Sequence, residues 1–150
     1  MNTANTSPLQ DSLTLAGRLL LALLFLPAGL MKITALAATA AYIGSAGLPL
    51  PQLGAVVAVV VEVGGGLALL AGFGTRIAAL ALALFTLVAT VVFHAYWAVP
   101  AEQAMVQQLM FFKNIAVVGG LFVLAAHGGG AFSVDGRRLA AAAKGLRKAT

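Results

Sequence analysis

The sequence predicts an all-α polytopic membrane protein, an antiparallel bundle of four transmembrane helices, and three observations carry that expectation. Of its 150 residues 61% are hydrophobic and only 9% are charged, against roughly 25% charged in ordinary soluble domains. The mean hydropathy is +1.02. The apolar residues also gather into four segments, each near the roughly 20 residues that a helix needs to cross a hydrocarbon core of about 30 Å. This length holds one compact domain, divided into a short lead over 1–12, a four-helix domain over 13–127 and a basic tail over 128–150.

The lead is polar up to Gln10, and Asp11 and Ser12 are candidate caps for the first helix. The first span runs from about Leu13 to Met31, with Pro27 as a candidate kink. Thr14, Arg18, Ala22, Phe25, Gly29 and Lys32 share one face of it. A cleavable leader is the rival reading, since Ala35-Leu36-Ala37 imitates a cleavage motif. Lys32 argues against it, lying between the apolar stretch and that motif.

Ala35 to Ile43 reads as a short interfacial helix, followed by a break at Gly44, Gly47, Pro49 and Pro51. The second span covers about Leu53 to Phe73. Gly54, Ala58, Glu62, Gly65 and Leu69 share a face, beside a small-residue row of Gly64, Ala68 and Gly72 that lets another backbone approach. Gly72, Gly74 and Thr75 form a turn too tight for anything but an antiparallel helical hairpin. The third span, about Ile77 to Trp97, puts Ala79, Ala83, Thr86, Thr90, His94 and Trp97 on one face. Tyr96 and Trp97 suit a membrane interface. The fourth runs from about Gln103 to Ala126 with Lys113 and Asn114 inside, and the glycine run after His127 reads as a flexible exit.

Charge sets the topology. The formal charge is +5, and Arg137, Arg138, Lys144, Arg147 and Lys148 all lie in the tail. Placing both termini in the cytoplasm satisfies the positive-inside rule, with Arg76 inside and Lys32 the one cation outside. The tail can touch anionic lipid. Its cations have no interleaved aromatics and form no known module, so nucleic acid is not an expected partner. There are no cysteines, so no disulfide or thiolate metal centre is available within the chain. The two histidines fall at opposite ends of the spans, which argues against bis-histidine haem, and no metal site is expected.

Each span carries one ionisable side chain: Arg18, Glu62, His94 and Lys113. A charge at mid-depth costs on the order of 3 kcal/mol, so such residues face a partner. Glu62 and Lys113 each stand about ten residues from the outer ends of parallel spans, so they are expected to pair, with Arg18 reaching toward them. Two readings stay open. The charges are a structural network that fixes helix register, or the surplus cation holds an anionic or hydrogen-bonding ligand. In the second case a cavity is expected among Phe25, Thr90, His94, Gln107 and Asn114. Arg18, Glu62, His94, Lys113 and Asn114 are the candidate polar-network or ligand-binding residues, and no catalytic residue is assigned.

Gly17-Arg18-Leu19 with Ala28-Gly29-Leu30-Met31-Lys32, then Gly47-Leu48-Pro49, then Glu62-Val63-Gly64-Gly65 through Gly72-Phe73-Gly74-Thr75-Arg76, then His94, Lys113-Asn114 through Gly119-Gly120, and Phe132-Ser133-Val134-Asp135 together resemble the DoxX family. The resemblance spans about residues 12 to 138 and rests on the order and spacing of these short motifs. It implies a small four-helix protein of the bacterial or archaeal cytoplasmic membrane. Some relatives are subunits of a thiosulfate:quinone oxidoreductase, and others take part in oxidative-stress defence through a membrane redox complex. The resemblance therefore implies a redox-associated subunit working with quinone or a partner oxidoreductase, with no covalently bound cofactor. A scaffold or a small-anion carrier is the alternative, and a homo-oligomer is an open arrangement.

Overall fold

A computed structural model describes residues 7–149, with the side chains of 147–149 outside the described set. The chain is all-α, with no strand among the described residues. Helix α1 (Pro8–Thr34) starts at Ser7, whose hydroxyl accepts from Gln10 N at 3.3 Å, with Pro8 in the first turn where its missing N–H costs nothing. Ser7, rather than Asp11 or Ser12, is thus the cap. Pro27 lies inside α1, which stays helical throughout.

Helix α2 (Leu36–Ser45) is the expected short helix. It buries Ala40 and Ile43 against Ala55 and Phe93, and Tyr42 stacks on Phe93 with centroids 5.0 Å apart. Helix α3 (Pro51–Ala71) ends at Gly72, whose φ of 68° is the left-handed conformation glycine adopts freely. Gly72 N and Phe73 N return to Leu69 O and Ala68 O, closing the helix. Helix α4 (Thr75–Phe93) leads through a short 3-10 turn at Tyr96–Ala98 into α5 (Ala101–His127), and α6 (Val134–Ala149) comes last.

Helices α1, α3, α5 and the stretch from α4 through Ala98 are long and apolar enough to cross a membrane. Only 17–28% of their most apolar stretches is buried within the chain, so most of the surface is a lipid-facing shell of Leu, Val, Ile and Phe. Glycines bring the spans together. A Cβ at Gly29 would stand 2.7 Å from Val63 Cγ2, one at Gly66 2.7 Å from Leu26 Cγ, and one at Gly65 2.7 Å from Leu82 Cγ. Each marks a point where only a hydrogen side chain fits. Leu69, Leu82 and Leu121 are wholly buried at the centre, among Ala22, Phe25, Ala79 and Ala83.

Packing runs α1 on α3, α3 on α4 and α4 on α5, while α1 and α5 touch sparsely. The ring is left open along that seam. The start of α1, the α3–α4 turn, the exit from α5 and the start of α6 lie at one end of the bundle, labelled inner after the side on which the charge pattern is expected to place it.

Candidate functional site

The five polar residues singled out from the sequence do not form one site. Glu62, 6% exposed, is bound by Lys32, whose Nζ lies 2.8 Å from Oε2 and 3.0 Å from Oε1. Lys32 Nζ also donates to Ala28 O at 3.4 Å. The expected Glu62–Lys113 pair is therefore corrected to Glu62–Lys32, and the reason is geometric. Side chains lean toward the N-terminus of their helix, so Lys32, near the outer end of α1, extends back to the level of Ala28. Gly29 holds α3 close at that level, its added Cβ falling 3.0 Å from Glu62 Cβ. Lys113 lies on α5, across the bundle from α3, with α1 and α4 between.

Arg18 does not reach toward Glu62 either. It is 1% exposed at the inner end, where Nη1 donates to Gly129 O at 2.7 Å and Nη2 to Phe132 O at 2.8 Å, leaving Nε without a partner. Gly72 faces the guanidinium so closely that a Cβ there would meet Nη1 and Ser133 Cβ. The glycine run after α5 is consequently a bound loop and not a flexible exit. Asp11 Oδ1 accepts from Ala131 N at 3.0 Å, and Ser133 Oγ accepts from Gly136 N at 2.9 Å to start α6.

Asp135 completes this inner knot. Its Oδ1 accepts from Gly74 N at 2.9 Å, and its Oδ2 from Thr75 N at 2.9 Å and Thr75 Oγ1 at 3.0 Å. A carboxylate thus caps the N-terminus of α4 from another segment, where the helix dipole favours negative charge. Burial pushes the Asp135 pKa up, but the Thr75 and Gly74 amides, the Thr75 hydroxyl and Arg138 together hold it below the ordinary value. Sequence reasoning reads Gly72, Thr75, Ser133 and Asp135 only as turn residues and family motifs. Their convergence on Arg18 rests on backbone partners that leave no periodic signal.

His94 Nδ1 pairs with Gln107 Oε1 at 2.8 Å, joining the outer ends of α4 and α5. Beside it Tyr96, Trp97, Phe111 and Phe112 form an aromatic cluster with centroids 5.0–6.2 Å apart. Asn114 is half-buried on α5. Thr90, wholly buried, donates to Thr86 O, and Thr86 Oγ1 is buried without a partner.

Phe25, Thr90, His94, Gln107 and Asn114 do not line the larger opening. It is a groove of about 720 Å³ along the α1–α5 seam, walled by Leu13, Gly17, Leu21 and Arg18 on one side and Lys113, Ala116, Val117, Gly120 and Leu124 on the other. Added Cβ atoms at Gly17 and Gly120 would meet nothing within 4 Å, so these glycines support no packing among the described residues. Lys113 is exposed there, with Met110 Sδ at 3.4 Å as its hydrogen-bond partner. Twelve residues separate it from Ala101, about 18 Å at helical rise, so it stands near the middle of α5. The chain's four acids are Asp11, Glu62, Glu102 and Asp135, and Glu62 forms an ion pair with Lys32.

Comparison with known proteins agrees with this architecture. The DoxX family model matches residues 13–95, more than half of the chain. The chain is 42% identical over 127 residues to the inner membrane protein YqjF of Escherichia coli K12, covering 85% of this chain and 92% of that protein. It is 34% identical over 125 residues to the inner membrane protein YphA of the same organism, covering 83% and 89%. No solved structure matches it. With four membrane-spanning helices, the matching residues and two relatives aligned over most of their length, this chain belongs to the DoxX family.

Proposed function

We propose that this protein is a redox-associated subunit of the bacterial inner membrane that holds a quinone in the α1–α5 groove, while a partner oxidoreductase supplies the electrons. The observation that carries the reading is Lys113, a cation near the middle of a span without an acidic partner among the described residues. Leaving a lysine so placed costs roughly 2.5–3.5 kcal/mol on insertion scales. A ligand that accepts its hydrogen bonds offsets that cost. The groove suits an isoprenoid quinone: its lining is mostly apolar, with Gln10, Thr14, Arg18, Lys113 and His127 as the polar residues, it opens along the α1–α5 seam, and Lys113 offers a donor at mid-depth. In this reading Lys113 Nζ donates to a head-group carbonyl oxygen and the walls of Leu13, Leu21, Val117 and Leu124 take the tail. Both termini face the cytoplasm, on the charge asymmetry of the loops and tail.

A scaffold is the second reading, favoured by the number of charges already satisfied internally. Glu62 is held by Lys32, Arg18 by two carbonyls and Asp135 by the start of α4. The anion-carrier reading loses its basis, because the surplus positive charge it required is divided between separate places.

Thermal unfolding in mild detergent, with short-chain quinone analogues, separates the two. A ligand at a hundredfold excess over its dissociation constant stabilises by about 2.7 kcal/mol. Lys113→Met should remove that shift while leaving the unliganded midpoint equal or higher, since it deletes an uncompensated charge. If no analogue moves the wild-type midpoint, or the shift survives in Lys113→Met, the quinone site is refuted and the scaffold reading stands. Quinone and a redox protein recovered with the purified wild type are the accompanying expectation.

A further inference from the structure

Helix α6 has two faces, and among the described residues nothing covers either beyond its start. Leu139 and Leu146, seven residues and so nearly two full turns apart, lie on one stripe with Ala142 and Ala143 between them. Both leucines are 73% exposed. Arg137 and Lys144 repeat the same spacing two residues earlier, which places them roughly 160° around the helix. Arg147 and Lys148 come next in sequence, so five of the chain's nine Lys and Arg residues fall in this helix.

The start of α6 is fixed at the inner ends of the spans. Asp135 is bonded to the first residue of α4, and its own N–H donates to Gly72 O at 3.0 Å. The Arg138 guanidinium lies 4.9 Å from the centre of the Phe73 ring. Phe73 and Phe132, 51% and 55% exposed, stand in the loops at this same end. A helix that leaves the edge of a transmembrane bundle with leucines on one face and cations on the other has the pattern of an in-plane surface helix. The excess of cations selects the surface: negative lipid headgroups attract basic residues within about a Debye length.

We propose that α6 is an interfacial helix that docks on anionic lipid headgroups at the inner face of the membrane, its Leu139–Leu146 stripe toward the acyl chains and Arg137 and Lys144 toward the headgroups. The proposal is independent of what the α1–α5 groove holds. It assigns the membrane surface as the occupant because both the apolar stripe and the cations begin at the level of the span ends, where that surface lies.

Because the natural chain has no cysteine, single cysteines can be introduced without background. Leu146→Cys on the stripe and Ala141→Cys on the opposite face would each carry an environment-sensitive fluorophore, in full-length protein reconstituted into nanodiscs. Phosphatidylcholine discs and discs containing phosphatidylglycerol are compared. The expected result is blue-shifted emission and protection from an aqueous quencher at position 146 only with phosphatidylglycerol, with position 141 quenched in both. High salt should weaken the protection, because screening shortens from about 10 Å at 0.1 M to about 3 Å at 1 M. Each cation near an anionic surface is worth roughly a fivefold preference, so Arg137→Gln with Lys144→Gln should lower docking by about twenty-fivefold. Equal emission in the two disc types, full quenching at 146 in both, or no effect of the double substitution would overturn the proposal. Full quenching in both would mean that α6 projects into solvent toward a soluble partner.

Discussion

Lys32→Met and Glu62→Gln remove opposite halves of one ion pair, and the structure predicts unequal damage. Glu62 stands 11 residues into α3 from Pro51, about 17 Å at helical rise, and is 6% exposed. With Lys32 gone, that carboxylate has no cation and no route to water, and such truncations typically cost about 3–5 kcal/mol. Lys32 stands two residues from the end of α1, with its side chain 29% exposed. With Glu62 gone, the ammonium can swing outward to the interface and be hydrated there. The loss is then close to that of charge-assisted hydrogen bonds alone, about 1.5–3 kcal/mol. Lys32→Met should therefore be the worse single change. The double variant should lose less than the two singles added, by at least about 1 kcal/mol, since it leaves neither charge buried alone. Reversible unfolding of the four proteins in one mild detergent gives the cycle directly. Additivity within about 0.5 kcal/mol, or Glu62→Gln as the more damaging change, would falsify this account of the pair.

The glycines give a matched contrast. Gly29→Ala places a methyl 2.7 Å from Val63 Cγ2 and 3.0 Å from Val63 N, and should cost about 1–3 kcal/mol, whereas Gly64→Ala meets nothing within 4 Å and should be neutral or slightly stabilising in the same unfolding measurement. Arg18→Lys keeps the charge but cannot span both Gly129 O and Phe132 O, so a loss of about 2 kcal/mol is expected, with faster proteolysis between Gly128 and Ser133 as the local readout. Asp135 has a depressed folded-state pKa, so its contribution is fully present above the ordinary carboxylate value of about 3.9 and is lost as pH falls below that through the folded pKa. Asp135→Asn should lower stability by about 1 kcal/mol near neutral pH, and the gap from the wild type should close on acidification. A gap that widens in acid would contradict the assigned sign.

The spans are legible because membrane burial writes itself into composition. The sequence places Arg18, Ala22, Phe25 and Gly29 on one face of the first span, and α1 buries those residues. Ala79, Ala83, Thr86 and Thr90 are likewise buried on α4, and Ala58, Glu62 and Leu69 on α3. The tight α3–α4 turn and α2 also derive from glycine and proline placement. The pairing of charges is not legible, because depth counted from helix ends says which residues share a level and nothing about which helices are neighbours. Glu62 and Lys113 satisfy the depth condition, yet α3 and α5 face each other diagonally. Lys32 counts as an outer-side cation when judged by its Cα near the surface, while its ammonium lies about four residues deeper, beside Ala28 O.

That distinction decides how the candidate site should be weighed. A buried charge with an internal partner, as at Glu62, says little about function, because the pair satisfies itself. Arg18 belongs to the same class: its partners are carbonyls of its own chain, and its neighbours Gly72, Ser133 and Asp135 close one structural knot. His94 is similarly occupied by Gln107. Lys113 differs, since its Nζ contact is a thioether, a weak acceptor, and Gly17 and Gly120 along the same groove pack against nothing among the described residues. A membrane helix gains from small residues only where something approaches them. A cation and a small-residue seam with no packing among the described residues thus lie along the same groove of α1 and α5, and on the proposed reading one lipid-soluble occupant relieves both. On that reading the missing acceptor is a lipid-soluble molecule, so the Lys113→Met comparison is the measurement that bears on function, while the other charge substitutions bear on folding.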